Sequence, residues 1–328
     1  MPNSFDVISI GDSTTDVFLQ IHDAEVRCSL DKQSCKLCVN YADKIAVDSM
    51  CQTVAGNAAN NAVGSSRLDL RTAIYTSIGG DQTGHNIFNK FRTEKVDTRF
   101  VKKFPKMESN FSTVINFKGE RTIFVYHQPW HYKLPKLPLE AKWVYYTSVG
   151  KGFETMHPAL LAYLKRTGGK LGFNPGTHQR KGPLRNILPI IEATHTFFFN
   201  KEEACDLLRK PYSTPFKVLL RGIKELGPQI VVITDGPKGS TCYDGEEFRE
   251  IGIYNVPIVE RTGVGDAYAT AFIAAEIAGK NIDERMRWGT LNSSGVVQFI
   301  GPQQGLRTKR DIEKIMASNP RFTKAHLL

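Results

Sequence analysis

The chain lacks the features that would place it in several large classes. In its 328 residues no apolar stretch approaches the ~20 residues that a membrane helix needs, so no membrane partner is expected. The opening MPNSFDVISIGDS has no basic segment followed by an apolar run and a small-residue cleavage site. Secretion is therefore not expected, and a cytoplasmic location is the default. No G-x4-G-K-[ST] loop occurs, which excludes a P-loop nucleotide site, and the H-R-D and D-F-G pair of protein kinases is missing too. Internal repeats and low-complexity linkers are likewise absent.

Acidic residues are in deficit. Lys and Arg exceed Asp and Glu by 43 to 33, a net charge of +10. Such an excess concentrates anions, phosphorylated ligands included. The basic residues are scattered, with no long block and no interleaved aromatics, so a nucleic-acid partner is not expected. Cysteine is sparse at six residues. Cys205 and Cys242 stand alone and read as buried thiols. Cys28, Cys35, Cys38 and Cys51 cluster, and Cys35–Cys38 has the C-x2-C spacing that grips zinc. Two readings stay open for the four: a structural metal site, or reduced thiols packed in an excursion. A disulfide framework is not expected in a large cytoplasmic chain.

Short apolar runs alternate with longer amphipathic ones. Phe5–Ile10, Thr72–Ile78, Trp143–Val149, Lys170–Phe173, Thr196–Phe199 and Ile230–Thr234 read as buried strands, each stopping near Gly, Asn or Asp. Between them Asn57–Leu68, Gly84–Lys95, Pro158–Thr167, Lys201–Arg209, Phe216–Leu226, Asp266–Ala278 and Asp283–Phe299 read as helices. This alternation predicts an α/β fold, a doubly wound, mostly parallel sheet flanked by helices. It fills one domain over residues 1–328. Two stretches break the rhythm, at about 16–54 and 101–131. In the second, Asn110–Phe117 and Arg121–Tyr126 flank Lys118-Gly119-Glu120, a hairpin signal. Together the excursions predict a small β-sheet lid, and two such sheets could pair face to face in a homodimer.

The segment Glu260-Arg261-Thr262-Gly263-Val264-Gly265-Asp266 carries the strongest chemical signal. The helix behind it is apolar almost all round, hence buried. Its N-terminus opens inside the protein behind a glycine-rich turn, where free N–H groups and the helix dipole attract an anion. A carboxylate placed there repels a static phosphate. Phosphoryl transfer gives it a purpose, as the base that takes a proton from an attacking hydroxyl. An Asp that merely caps the helix would look the same in sequence.

This heptad resembles the D-T-x-G-A-G-D signature of the ribokinase-like, or PfkB, carbohydrate kinases. A second signature of that family is similar to Ala55-Gly56-Asn57-Ala58-Ala59-Asn60, and Ile78-Gly79-Gly80-Asp81 resembles its I-G-x-D. The resemblance runs from Ile8 to about Gly305. It implies a ribokinase-like fold and an ATP-dependent sugar kinase with ATP and Mg2+ as cofactors. It implies Asp266 as base, with the backbone of Gly263, Val264 and Gly265 as anion hole. Asp12, Asp16, Gly56, Asn57 and Asn60 fall at the substrate, joined by Asn110. Arg121 would face either a ligand anion or solvent. Asn200 and Glu203, in Asn200-Lys201-Glu202-Glu203, match an N-x-x-E motif that orders Mg2+ through water. A helix-capping box reads identically. Thr234, Asp235, Gly236 and Gly239 match the nucleotide loop, Asn292 a nucleotide-pocket position, and Ile258 with Val259 would lie near the adenine. Glu260-Arg261 departs from Asp-Thr and leaves a monovalent cation open. A nucleoside kinase would share every catalytic residue named here. A ligand-binding protein on a kinase fold is the alternative from another class.

Overall fold

The computed structural model describes residues 4–29, 35–118, 120–136, 140–319 and 325–327. The first strand, β1 (Ser4–Ile10), is buried from Phe5 onward, as an apolar run in the middle of a covered sheet requires. The chain then leaves through β2 (Thr14–Gln20), β3 (Glu25–Cys28), β4 (Cys35–Cys38) and β5 (Ser49–Ala55). It returns by α1 (Asn57–Arg67), β6 (Thr72–Gly79), α2 (Gln82–Thr93) and β7 (Val101–Phe104). A second excursion, β8 (Phe111–Phe117) and β9 (Glu120–Tyr126), precedes β10 (Glu140–Tyr146). Strands and helices then alternate through α3 (His157–Thr167), β11 (Lys170–Phe173), α4 (Thr177–Lys181), α5 (Leu188–Glu192), β12 (Thr196–Asn200), α6 (Lys201–Leu208), α7 (Phe216–Lys224) and β13 (Ile230–Thr234). The last stretch holds the hairpin β14 (Ser240–Tyr243) and β15 (Phe248–Ile251), then α8 (Val264–Ile277), α9 (Ile282–Val296), α10 (Lys309–Ser318) and β16 (His326–Leu327).

The main sheet has the order β16-β15-β14-β13-β12-β11-β10-β1-β6-β7. The seven strands β13, β12, β11, β10, β1, β6 and β7 pair in parallel, and β14, β15 and β16 extend the sheet antiparallel. One face is covered by Leu160, Leu219 and Ile223 packed on Ile8, Ile10, Phe173 and Val231. On the other, Ala269, Phe272 and Ile273 of α8 pack on Val7, Tyr145, Phe198 and Val232. The strand order reverses at β1, whose neighbours are β6 and β10. Open α/β sheets bind ligands at the carboxyl end of the strands where that reversal falls, here at Gly11-Asp12.

The excursions form a second, four-stranded sheet of order β5-β2-β8-β9 and a separate β3–β4 hairpin. The register of β8 and β9 is antiparallel from Phe117–Glu120 to Phe111–Tyr126. Gly119, central to the hairpin signal, lies outside the described residues. One boundary shifts: Val101–Phe104 pairs with β6 as the parallel edge of the main sheet, not with the small sheet. Its expected place in the excursion reflected a short run that periodicity cannot assign to either sheet. The hairpin β14–β15 and the terminal elements α10 and β16 were not legible.

The cysteine readings are corrected. Cys28 and Cys35 face each other across the β3–β4 ladder and form a disulfide. Cys38 and Cys51 are free and half-buried. Among the described residues no group of three or more His, Cys, Asp or Glu side chains could hold a metal. Alternation along β4 puts Cys35 and Cys38 on opposite faces, which defeats the C-x2-C grip. Cys205 and Cys242 are buried, as expected. No helix among the described residues is long and apolar enough to cross a membrane.

Candidate active site

A cavity of about 640 Å³ opens at the strand-order reversal. Its walls come from the β1–β2 turn, the start of α1, the N-terminus of α8, the face of α9, the turn after β13, and Asp16, Ser112, Arg121, Ile123 and Val125 of the small sheet.

Asp266 occupies the first turn of α8 and is 6% exposed. The helix cap is Gly263, in the left-handed region at φ 79°, and no side chain caps it. Asp266 therefore stands third in the helix, and its carboxylate is turned to another element. Asn60 Nδ2 donates to its Oδ2 at 2.7 Å across 206 residues of sequence, and the Asn57 side chain also favours the ionised carboxylate. Gln303 Nε2 holds Asn60 Oδ1 at 3.1 Å. The capping reading is thus excluded by geometry. Burial pushes the Asp266 carboxyl up to about 6, the Asn60 bond pulls it down, and the charge of Glu203 adds to the rise.

The glycines before Asp266 have separate reasons. A Cβ on Gly263 would lie 2.3 Å from Pro302 Cβ, in a backbone conformation that L-residues avoid. A Cβ on Gly265 would meet nothing within 4 Å. Gly265 lines the cavity, so its missing side chain leaves room for a ligand at the helix N-terminus. Ser293 Oγ on α9 donates to Val264 O at 3.0 Å and steadies this turn.

At the end beside the β1–β2 turn, Tyr132 Oη and Gly150 N donate to Asp12 Oδ2 at 2.7 and 3.0 Å. Burial raises the Asp12 carboxyl to about 7. Asp16 rises to about 6, mainly from burial, with Ser112 bonding opposing and the Glu260 charge reinforcing the rise. Gly56, at φ 98°, caps α1, and a Cβ there would sit 2.6 Å from Asp12 O. Asn110 Nδ2 donates to Ser13 O, and its Oδ1 accepts from Gln128 N, so it ties the small sheet to this turn. Arg121 lines the cavity, with Nη1 3.8 Å from Glu260 Oε1. Its side chain is 35% exposed, so it borders both the cavity and solvent.

At the opposite end, Thr234, Gly236, Pro237 and Gly239 face Thr290, Ser293, Ser294 and Val297, with Ile253, Tyr254 and Ile258 beside them. Asn200 and Glu203 line the cavity and also form the capping box of α6. Both expected roles therefore coincide in position. Arg180 Nη2 lies 3.2 Å from Glu203 Oε1, and burial raises the Glu203 carboxyl.

Three expected nucleotide residues are elsewhere. Asn292 is buried against α8: its Nδ2 donates to Ala267 O at 2.9 Å and its Oδ1 accepts from Arg307 N. Its helix position turns it inward, and neighbouring Ser293 and Ser294 line the cavity instead. Asp235 accepts from Tyr212 Oη and pairs with Lys238, away from the lining. Val259 is 57% exposed and outside the lining. Tyr132, His127, Arg180 and Gln303, which contact Asp12, Glu203 and Asn60, lie in none of the motifs named above. The crowded His127-Gln128-Pro129-Trp130-His131-Tyr132 was a signal for the first two; Gly301-Pro302-Gln303 offered none.

The family model of the pfkB carbohydrate kinases matches residues 21–309. A 5-dehydro-2-deoxygluconokinase of Shouchella clausii is 24% identical over 291 residues, covering 82% of this chain and 87% of its own. A nucleoside kinase of Methanothermobacter thermautotrophicus is 24% identical over 266 residues, covering 80% of this chain and 83% of its own. The solved structure of Arabidopsis thaliana ribokinase complexed with ribose and ATP shares the fold at a TM-score of 0.78 and 18% identity, over 95% of this chain and 99% of that one. The match spans most of the sequence, and the protein belongs to the pfkB family of carbohydrate kinases, phosphotransferases that act on a sugar hydroxyl.

Proposed function

We propose that the cavity transfers the γ-phosphoryl group of ATP to a hydroxyl of a small sugar, with Asp266 as the base. The observation that carries this reading is the placement of Asp266: buried, uninvolved in capping, and held by Asn60 beside the open space at Gly265. A carboxyl near 6 is ionised at neutral pH and still basic enough to draw a proton from an alcohol in the transition state. The first N–H groups of a helix have no partner within it, and Val264 and Gly265 line the same cavity; their N–H groups would stabilise negative charge on the transferred group. ATP would lie between the turn after β13 and α9, its phosphates toward α8.

Magnesium fits the wall near Glu203. Both carboxylate oxygens are already engaged, one by Asn200 N and one by Arg180. Glu203 and Asn200 suit water ligands of the ion better than direct coordination, as Mg2+ retains several waters. The ion would neutralise charge on the ATP phosphates. At Glu260 a guanidinium already faces the carboxylate, and we assign no monovalent cation there. The small sheet would act as a lid that keeps water from the acceptor. On its outer strand β9, Phe124 and Tyr126 alternate away from the cavity-lining Ile123 and Val125 and are 63% and 47% exposed, the face through which we expect two copies to pair; light scattering reads this.

The test is ADP release over pentoses, hexoses, sugar acids, sugar phosphates and nucleosides. Turnover on one class is expected, and Asp266→Asn should lower it by about 10²–10⁴-fold or more while ATP still binds. Activity that survives the substitution would refute Asp266 as base. A nucleoside acceptor is the second reading, since Ile123 and Val125 give the cavity an apolar wall that a base could cover. Turnover on adenosine, cytidine or inosine, with none on sugars, would decide for it.

A further inference from the structure

The acceptor end holds more carboxylates than a single hydroxyl requires. Asp12, Asp16 and Glu260 are 5%, 7% and 7% exposed. Two arginines line the cavity, and both have carboxylate partners of their own: Arg121 is directed at Glu260 and the half-exposed Arg261 at the exposed Glu120. His127 Nδ1 lies 3.7 Å from Asp12 Oδ2, but burial, with the neighbouring His178, pushes its ionisation down, so it is neutral near pH 7.

Asp12 is held from one side only. Tyr132 and Gly150 both donate to Oδ2. Its Oδ1 is buried with no hydrogen-bond partner, and the same is true of Asp16 Oδ1 and Ser13 Oγ. All three residues line the cavity. A buried acceptor without a donor is costly and is satisfied only by a group that brings one. Hydroxyl and N–H groups do so. A carboxylate or phosphate brings acceptors and a like charge into a poorly solvated site.

We propose that Asp12 is a second acceptor-binding carboxylate beside Asp16, and that the pair selects an uncharged, hydroxyl-rich acceptor against sugar acids and sugar phosphates. Tyr132 is a positioning residue: by occupying Oδ2 it leaves Oδ1 for the ligand. The proposal rests on the reading of this cavity as a phosphoryl-transfer site.

The experiment uses the full chain at pH 8, above the values near 7 and 6 that burial gives Asp12 and Asp16. D-ribose, D-fructose and adenosine are the uncharged probes; D-gluconate and D-fructose 6-phosphate are the anionic ones. Binding is read by calorimetry without ATP, and ADP release is read separately. We expect saturable binding of at least one uncharged probe and none of the anions. Asp12→Asn should weaken that binding and raise its KM by about 10-fold or more, as loss of a charged hydrogen bond does, with little change in kcat or in the KM of ATP. Tyr132→Phe, which keeps the carboxylate, should weaken the same probe less. It serves as the second variant if Asp12→Asn fails to fold. Preferred binding of an anion, unchanged binding in Asp12→Asn, or no binding of any uncharged probe would overturn the proposal. Asp12-dependent binding without ADP release would support it and overturn the phosphoryl-transfer reading instead. ADP release indifferent to Asp12→Asn would do the reverse.

Discussion

Asn60 offers a direct way to read the protonation of Asp266. Its Nδ2 bond to Asp266 Oδ2, at 2.7 Å, favours the ionised carboxylate against burial, and the balance falls at about 6. A hydrogen bond to a charged group is worth roughly 1.5–3 kcal/mol, and about 1.4 kcal/mol moves a carboxyl by one pH unit. Asn60→Ala should therefore raise Asp266 by about one to two pH units. The base acts only when ionised, so activity falls tenfold per unit below its pKa. At pH 7 about nine-tenths of the native carboxyl is ionised; in the variant the fraction falls to between about one-half and one-tenth. ADP release measured from pH 5 to 9 should show the acid limb of kcat moved upward, with most of the loss recovered by pH 9. Asp12 and Asp16 titrate in the same window, so the movement of the limb, rather than its existence, identifies Asp266. A uniform loss across the pH range, with the limb unmoved, would show that Asn60 only positions the carboxylate and would refute the assignment.

The glycines of the turn predict opposite outcomes. Gly265→Ala places a methyl group in open space at a helical position, so the thermal midpoint should hold or rise by the equivalent of up to ~1 kcal/mol. The same methyl enters the phosphate space, and kcat/KM for ATP should fall by about 10²-fold; a fully active variant would remove the anion hole from this turn. Gly263→Ala, with its Cβ 2.3 Å from Pro302, should lose both stability and activity, checked by thermal melting beside the same assay. Glu203→Gln keeps a side-chain acceptor for the α6 cap, so folding should be unchanged while the free Mg2+ needed for half-maximal rate rises about 10-fold; an unaltered Mg2+ curve confines Glu203 to capping. Asp266→Asn should also stabilise the fold. Its pKa rises from 3.8 to about 6 on folding, so the ionised carboxylate costs roughly 3 kcal/mol above pH 6 and nothing below about pH 4. A thermal midpoint at pH 8 raised by a few degrees, with the gain absent at pH 4, is expected.

The parallel strands were legible because each is a short, buried apolar run ending at a turn residue, and Lys170–Phe173 and Ile230–Thr234 match to the residue. The edge elements were not. Val101–Phe104, Ser240–Tyr243 and His326–Leu327 are short, and their sheet is chosen by pairing partners that no local pattern reveals. The site divided along similar lines. Backbone demands mark themselves in sequence as glycine, hence Gly56, Gly263 and Gly265. Side-chain direction is set by tertiary packing, and there the reading slipped by one residue: Asn292 faces α8 while Ser293 faces the cavity. Adjacent helical residues point about 100° apart, so a position matched by motif alone can miss the wall it belongs to. The disulfide of Cys28 and Cys35 shows the same limit, since only the β3–β4 register brings those two cysteines opposite one another.

The cavity is electrically polar along its length, and this bears on how the two substrates are kept in order. Its acceptor end has Asp12, Asp16 and Glu260, all buried. Its nucleotide end is lined by hydroxyls, glycine turns and the N-terminus of α8. An ATP molecule entering backwards would bring its phosphates against carboxylates, whereas in the proposed direction they meet N–H groups and a helix dipole. Asp266 sits at the boundary and carries both characters. Its charge is tolerated because Asn60 and Asn57 oppose the penalty of burial. That balance is what keeps its pKa near 6 rather than higher, within reach of an alcohol proton and still ionised at neutral pH. The fold thus accepts an unfavourable buried carboxylate at the place where, in the proposed reaction, the incoming hydroxyl and the phosphoryl group would meet.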